Sequence, residues 1–363
     1  MKNKVNIYII FRICAVLLTI ILAFKFSTLV LYIFLAFIFS LIGKPLAHKI
    51  SRIKILKHNI PFGVCAMMTV MLIIMFFASV VVFIVPLLSR ETQAIANFNY
   101  DDLARYLSFL LNNFQDLLYG ANLLGEDQTL VGLVTDEIRE IFNFANFSNI
   151  FIGLMSATGS FMMGLFAVFF LTFFFIKDDI RLDGKAKLLF GEAHAERLTA
   201  VSEKITYLLS RYYIGLFAEI LIMMILLYAG LSILGVKGAL LMAFFGGLLN
   251  AIPYLGPLIG VICSCLFGVA DCIAINEYHA ILSTVIKISC TFAVANIIDN
   301  VVLIPYIHSK SVKAHPIEIF LVIIMGGSLA GIMGMFFAIP VYTMIRTTVI
   351  ELFNYVKTQQ PSQ

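Results

Sequence analysis

The sequence predicts an all-α, polytopic integral membrane protein, and three observations carry that prediction. Of its 363 residues, 61% are hydrophobic and only 13% are charged, against about 25% charged in an average soluble domain. Apolar runs of bilayer-crossing length recur along the chain, and the charges between them alternate in sign. A soluble domain has too little interior for so much apolar side chain, which excludes a soluble enzyme and a disordered chain. The 25 Lys and Arg nearly balance 21 Asp and Glu, so no basic footprint for nucleic acid is present. The partner this composition demands is the lipid bilayer.

A spanning helix needs about 20 largely apolar residues. Stretches 5–24, 28–43, 60–88, 149–176 and 212–235 meet that need, and the nearly continuous apolar sequence after them divides into 238–270, 279–305 and 316–350. About eight transmembrane segments result. The N-terminus resembles a signal peptide, but it lacks a small-x-small cleavage site and carries Arg12 inside its apolar run. It reads as a retained anchor. The chain then parses as three crossings in 1–88, an insertion at 89–148 and a fourth crossing at 149–176. A helical segment at 177–211, a core with broken helices at 212–350 and a tail at 351–363 complete it.

Lys and Arg in short loops mark the cytoplasmic side. Loop 44–58 carries Lys44, Lys49, Arg52, Lys54 and Lys57 without an acid, and 177–211 carries seven basic residues. Between them, 89–148 holds nine acids against Arg90, Arg105 and Arg139. The first two therefore face the cytoplasm and 89–148 faces out, with both termini inside. Within the outer segment, Leu103, Leu107, Leu110, Leu111, Phe114, Leu117 and Leu118 recur at helical spacing, and so do Leu130, Val134, Ile138, Ile141 and Phe142. These predict amphipathic helices lying on the bilayer or against partner subunits.

Motifs of soluble catalysis are missing: no H-E-x-x-H, G-x-S-x-G or G-x-x-x-x-G-K-[ST] occurs, so neither an enzyme nor an ATP-driven pump is expected. The six Cys lie in or beside apolar runs without C-x-x-C spacing and read as free thiols; no metal and no cofactor is expected. Charges at membrane depth are costly and need a reason. Arg12 and Lys287 can snorkel, and Glu318 falls in a helix's first turn, where the dipole favours it. Glu219, by contrast, sits about 12 Å along its helix, and Asn296, Asp299 and Asn300 share one face near the end of 279–305.

Two segments read as broken helices. One runs from Gly246-Gly247 through Asn250, Pro253, Gly256 and Pro257, and the other from Gly326-Gly327 through Gly331 to Pro340. Paired Gly/Pro interruptions of this kind mark substrate sites in secondary transporters. Gly256-x-x-x-Gly260 and Gly327-x-x-x-Gly331 also fit close helix packing. Each segment is too long for one crossing and too short for two; Lys310 and Lys313 favour re-entrant hairpins over single spans. In that scheme two hairpin tips meet as a gate, unwound at Pro253 and at Gly326-Gly327.

Together, Asn250-Ala-Ile-Pro-Tyr-Leu-Gly-Pro257, Asp299-Asn-Val-Val-Leu-Ile-Pro305, His315-Pro316 and the glycines from Gly326 to Gly334 resemble the AI-2E family of bacterial membrane transporters. The early run Leu35 to Pro45 is similar to that family too. The resemblance implies a homo-oligomer in the bacterial cytoplasmic membrane that exports a small solute, with the quorum-sensing signal autoinducer-2 as the name-giving substrate. Some relatives look like sodium/proton antiporters. Asn250, Asp299 and Asn300 are the expected polar contacts, Asn296 lies on the same pathway, and Asp299 precedes Glu219 as the expected ion-binding or titrating carboxylate. A cation/proton antiporter and a scaffold that moves nothing remain alternatives.

The topology has a direct test. Single cysteines at Ser51, Asn122 and Ser202 in a cysteine-free background should react with an impermeant maleimide in intact cells only at position 122.

Overall fold

The computed structural model describes residues 25–55, 58–96, 158–178, 192–275, 277–308 and 315–359. The expected first crossing at 5–24, the amphipathic helices of 97–148, the residues 149–157 that begin the fourth crossing, and Lys310 and Lys313 lie outside the described residues.

The architecture is helical. Helix α1 is Ser27–Ser51, α2 Phe62–Ala96, α3 Thr158–Lys177, α4 Glu192–Ile233, α5 Ala239–Leu249 and α6 Leu255–Ala274. A 3₁₀ turn at Tyr278–Ala280 leads into α7, Ile281–Ile298; a π-helical turn at Asp299–Leu303 follows, then α8, Ile304–His308, and α9, Pro316–Gln359. One feature not expected from the sequence is a two-residue antiparallel pairing, β1 (Lys54–Ile55) with β2 (His58–Asn59), which closes the basic loop.

Among the described residues, six helical runs are long and apolar enough to cross a bilayer: Ser27–Ser51, Phe62–Leu87, Thr199–Ile233, Leu255–Cys272, Ile281–Ile307 and Pro316–Glu351. Met162–Lys177 and Ala239–Leu249 are shorter apolar helices. Two boundaries differ from expectation. Helix α2 continues past residue 88 to Ala96. Helix α4 runs from Glu192 to Ile233, so no helix boundary falls at residue 211.

The chain divides into two compact units, Met1–Phe77 with Ala157–Thr206, and Ala78–Ser156 with Tyr207–Gln363. In the first, Ala47 of α1, Ala66 and Val70 of α2 and Ile176 of α3 form a buried core. Small residues there let the helices approach, as membrane helices require where lipid supplies no hydrophobic drive between them. Thr172 donates its hydroxyl to the carbonyl of Val168 at 2.7 Å, so its polar atom is satisfied within its own helix.

The second unit is organised by two chain reversals. The first joins α5 to α6 through Asn250–Tyr254. Gly256 packs so closely on the Leu249 carbonyl that a Cβ there would overlap it, and a Cβ on Gly260 would lie 3.3 Å from the Gly246 Cα. The Gly256-x-x-x-Gly260 pair therefore packs as expected. The second reversal lies inside α9 at Ala330 (φ −143°, ψ 24°) and Gly331 (φ 59°, ψ −143°), a conformation that only glycine adopts without strain. Gly326 then meets Gly334 backbone to backbone, whereas a straight helix would hold residues eight apart at about 12 Å. At the open end, Tyr342 donates its hydroxyl to Glu318, 24 residues away in sequence.

These reversals correct four expectations. Gly246 and Gly247 are not unwound; both are helical, packed on Phe292 and Leu227 and on Met224 respectively. Gly326 and Gly327 are likewise helical, and the unwinding falls four residues later. Gly327-x-x-x-Gly331 is not a packing pair, because Gly331 forms the turn and its packing partner's role passes to Gly334. Pro340 lies inside the second arm without breaking it, and Gly256 and Pro257 sit in the first turn of α6, where a missing N–H costs no intrahelical bond. Only Pro253 and Gly331 stand at points where the helix stops. The reversal also means that Pro316–Glu351 is not one straight helix: its first arm, 316–329, is about 21 Å long at 1.5 Å per residue.

The hairpin contact predicts its own mutational signature. Gly334→Val should lower the detergent melting temperature by the equivalent of about 1–3 kcal/mol of overpacking, while Ser328→Val, at an exposed position, should leave it nearly unchanged.

Candidate functional site

Helix α4 presents Tyr212, Leu216 and Glu219 on one face, four and three residues apart. Asn250 caps α5 at the start of the first reversal. The third contributor is Asp299, where α7 widens into a π-helical turn. Pro305 supplies a physical reason for that turn: in a regular helix its ring would collide with the carbonyl of Val301 and its nitrogen could donate no bond. Such widened turns occur frequently at functional sites.

The Asn250 Nδ2 donates to Glu219 Oε1 at 3.3 Å and to Asp299 Oδ2 at 3.2 Å. All three side chains are buried, at 5%, 5% and 3% exposure for Glu219, Asn250 and Asp299. Residues 31 and 49 positions apart thus converge on a single amide. Ionised carboxylates accept and cannot donate, which fixes the amide nitrogen as the atom facing them. Each hydrogen bond to a charged acceptor contributes about 1.5–3 kcal/mol. The amide is neutral, however, and two buried negative charges need a counter-charge. A proton or a bound cation meets that need.

These groups border a cavity of ≈ 590 Å³ lined also by Tyr212, Leu216, Pro253, Tyr254, Pro257, Asn296, Asn300, Ile304, Pro305, Ile319 and Ile339. No Lys, Arg or His is among the lining residues. Asn296 is half-buried, and its Oδ1 is buried without a hydrogen-bond partner among the described residues. An amide oxygen in that state calls for water or a solute. Asn300 is exposed and donates to the Asn296 carbonyl at 2.8 Å, capping the turn it belongs to. Among the described residues, no cluster of three His, Cys, Asp or Glu could hold a metal ion.

The five polar residues singled out in the sequence therefore all line one cavity, and three of them are hydrogen-bonded together. The two broken segments contribute unequally. The first supplies its tip; the second supplies Ile319 and Ile339 from its arms. Tyr254 at the first tip packs edge-on against Phe320, with ring centroids 6.0 Å apart. The turn of the second hairpin lies 11 residues beyond Ile319, about 16 Å along a helix, and Leu329 there is 84% exposed. The expected tip-to-tip gate is thus replaced by a tip that meets the base of the other hairpin. Sequence reasoning passed over Tyr212, although its seven-residue spacing from Glu219 places it on the same helical face, and Tyr254, whose φ of 66° has no local sequence signal.

A cavity edged by buried carboxylates and lined by the tip of a reversed helix, in an apolar helical chain, fits the class of membrane transport proteins. The chain matches the AI-2E family transporter model over residues 7–354 and belongs to that family. It is 20% identical over 313 residues to a Bacillus subtilis (strain 168) protein named "Putative transport protein YueF", covering 86% of this chain and 82% of that one. It is 29% identical over 188 residues to "Putative transport protein YrrI" of the same organism, covering 51% of this chain and 50% of that protein.

The triad predicts a measurable coupling. Asn250→Ala and Asp299→Ala should each destabilise the purified protein, and the double variant should lose less than the sum. A double-mutant cycle in thermal or denaturant unfolding should return an interaction of about 0.5–3 kcal/mol; an additive double variant would show that the shared hydrogen bond contributes nothing.

Proposed function

We propose that this protein moves a small polar solute across the bacterial cytoplasmic membrane, coupled to a proton or a monovalent cation taken up by Glu219 and Asp299. The single observation that supports this reading most is the carboxylate pair held by Asn250 at the edge of a ≈ 590 Å³ cavity. A purely structural hydrogen bond between helices would not need two carboxylates, and it would not border a space with room for a solute. Asn296, with its unpartnered buried Oδ1, supplies a polar contact for the cargo.

In this reading the cargo belongs to the class of small polar signals exemplified by autoinducer-2, moved outward. Both helix reversals are re-entrant, and the protein works as a homo-oligomer. The sequence holds no nucleotide-binding loop, so an ion or solute gradient drives movement. A second reading is cation/proton exchange without an organic cargo, favoured by the same two carboxylates, since alternate occupation by sodium and a proton needs nothing more.

Reconstitution separates the two. Asp299→Asn should leave the protein inserted and folded while removing the dependence of solute flux on an imposed proton or sodium gradient. Wild-type coupling in that variant would return Asp299 to a structural role, and sodium flux without any organic solute would select the exchanger.

A further inference from the structure

We infer that Asn250 is the coupling residue of this site: its amide competes with a proton or a monovalent cation for Glu219 and Asp299, so occupation of the pair releases the first hairpin's tip and opens the cavity. The inference rests on the transport reading above and adds the element that moves and the group that moves it.

The competition follows from atom types. The Asn250 Nδ2 directs one N–H to each carboxylate. Alkali cations are bound by oxygens, and an N–H pointing at a cation is repelled by it. A proton taken by the oxygen that faces the amide turns that atom from an acceptor into a donor. A proton or cation that takes the oxygens facing the amide, Glu219 Oε1 and Asp299 Oδ2, therefore displaces at least one of the two bonds that hold the tip. The groups that could titrate here are few. Glu219 and Tyr212 face the cavity from α4, Asp299 from the π-helical turn, and Tyr254 from the tip itself; the second hairpin presents Ile319 and Ile339.

The tip is built to leave. Tyr254 holds φ at 66°, a region costly for any residue but glycine or a small polar one. Ala251 and Ile252 are only 4% exposed, so the tip is seated. Its backbone bonds are short-range: Ala251 to Leu248, Ile252 to Leu249 and Leu255 to Pro253. Those bonds travel with the tip. The two Asn250 bonds tie it to other helices, and the Tyr254–Phe320 contact carries its movement to the base of the second hairpin.

The test is hydrogen–deuterium exchange on the full-length wild-type protein in nanodiscs, read on peptides covering Leu249–Gly256. Sodium chloride replaces choline chloride at fixed pH in one arm; the second arm is a pH series without sodium, corrected for intrinsic exchange. In at least one arm the amides of Ala251, Ile252 and Leu255 should exchange ~10-fold or more faster as the ligand is added, with α6 beyond its first turn unchanged. Asn250→Ala should exchange rapidly at the tip under every condition. Unchanged or slower tip exchange, in protein whose transport stays coupled to sodium or protons, overturns the inference: the amide then rotates in place and offers its oxygen, and the transport reading stands. Protein that moves neither solute nor cation under any gradient removes both. If Asn250→Ala fails to fold, the wild-type arms decide alone; if it folds and its tip still responds to ligand, Asn250 is not the coupling residue.

Discussion

The structure of the second unit depends on one constraint: two carboxylates buried in an apolar bundle converge on one amide, which donates to both. Glu219 belongs to a long helix, Asp299 to a widened turn, and Asn250 to the tip of a reversal. For the three to meet, the tip must enter the space between α4 and α7. That placement accounts for the small residues along its arms. Gly246, Gly247, Gly256 and Gly260 remove the side chains that would hold α5 away from α4, α6 and α7, as close helix approach in membranes requires.

The same constraint explains where the backbone departs from regularity. Pro253 and the positive φ of Tyr254 let the chain turn immediately after Asn250 without displacing its side chain. Pro305 forces the turn after Asp299 open. Strain of this kind persists where surrounding packing over-determines it, and it gathers at sites that bind or switch. The second hairpin shows the contrast. Its turn is at Gly331, where glycine carries no strain, and the turn holds no polar group against the cavity. It contributes apolar arms, closed at the base by Tyr342 on Glu318. One hairpin thus brings a polar side chain to the cavity and the other brings apolar wall.

Membership of a transporter family is established by the match over 7–354, and the geometry brings two buried carboxylates to the edge of one cavity. Depth alone is not the criterion. Lys287 also lies in an apolar helix, but it is half-buried and long enough to reach the interface. Glu219 and Asp299 are too short for that escape, so they turn inward and pair.

The sequence by itself determined the class and singled out Glu219, Asn250, Asn296, Asp299 and Asn300, all of which line the cavity. Composition demands a bilayer whatever the fold, and an unsnorkelled carboxylate in an apolar run demands a partner whatever its location. It also marked both broken segments, because Gly and Pro interrupt a helix by local sterics. Only the tertiary structure decided which glycines bend and which pack. Gly326-Gly327 and Gly331 look equivalent on a line, yet close approach is a property of two surfaces and a positive φ is a property of one residue. Likewise, nothing local says that Asn250 bonds Glu219 rather than a neighbour on its own helix. That choice is made by α4, α5 and α7 together, across 31 and 49 residues of chain, through packing that no single segment encodes.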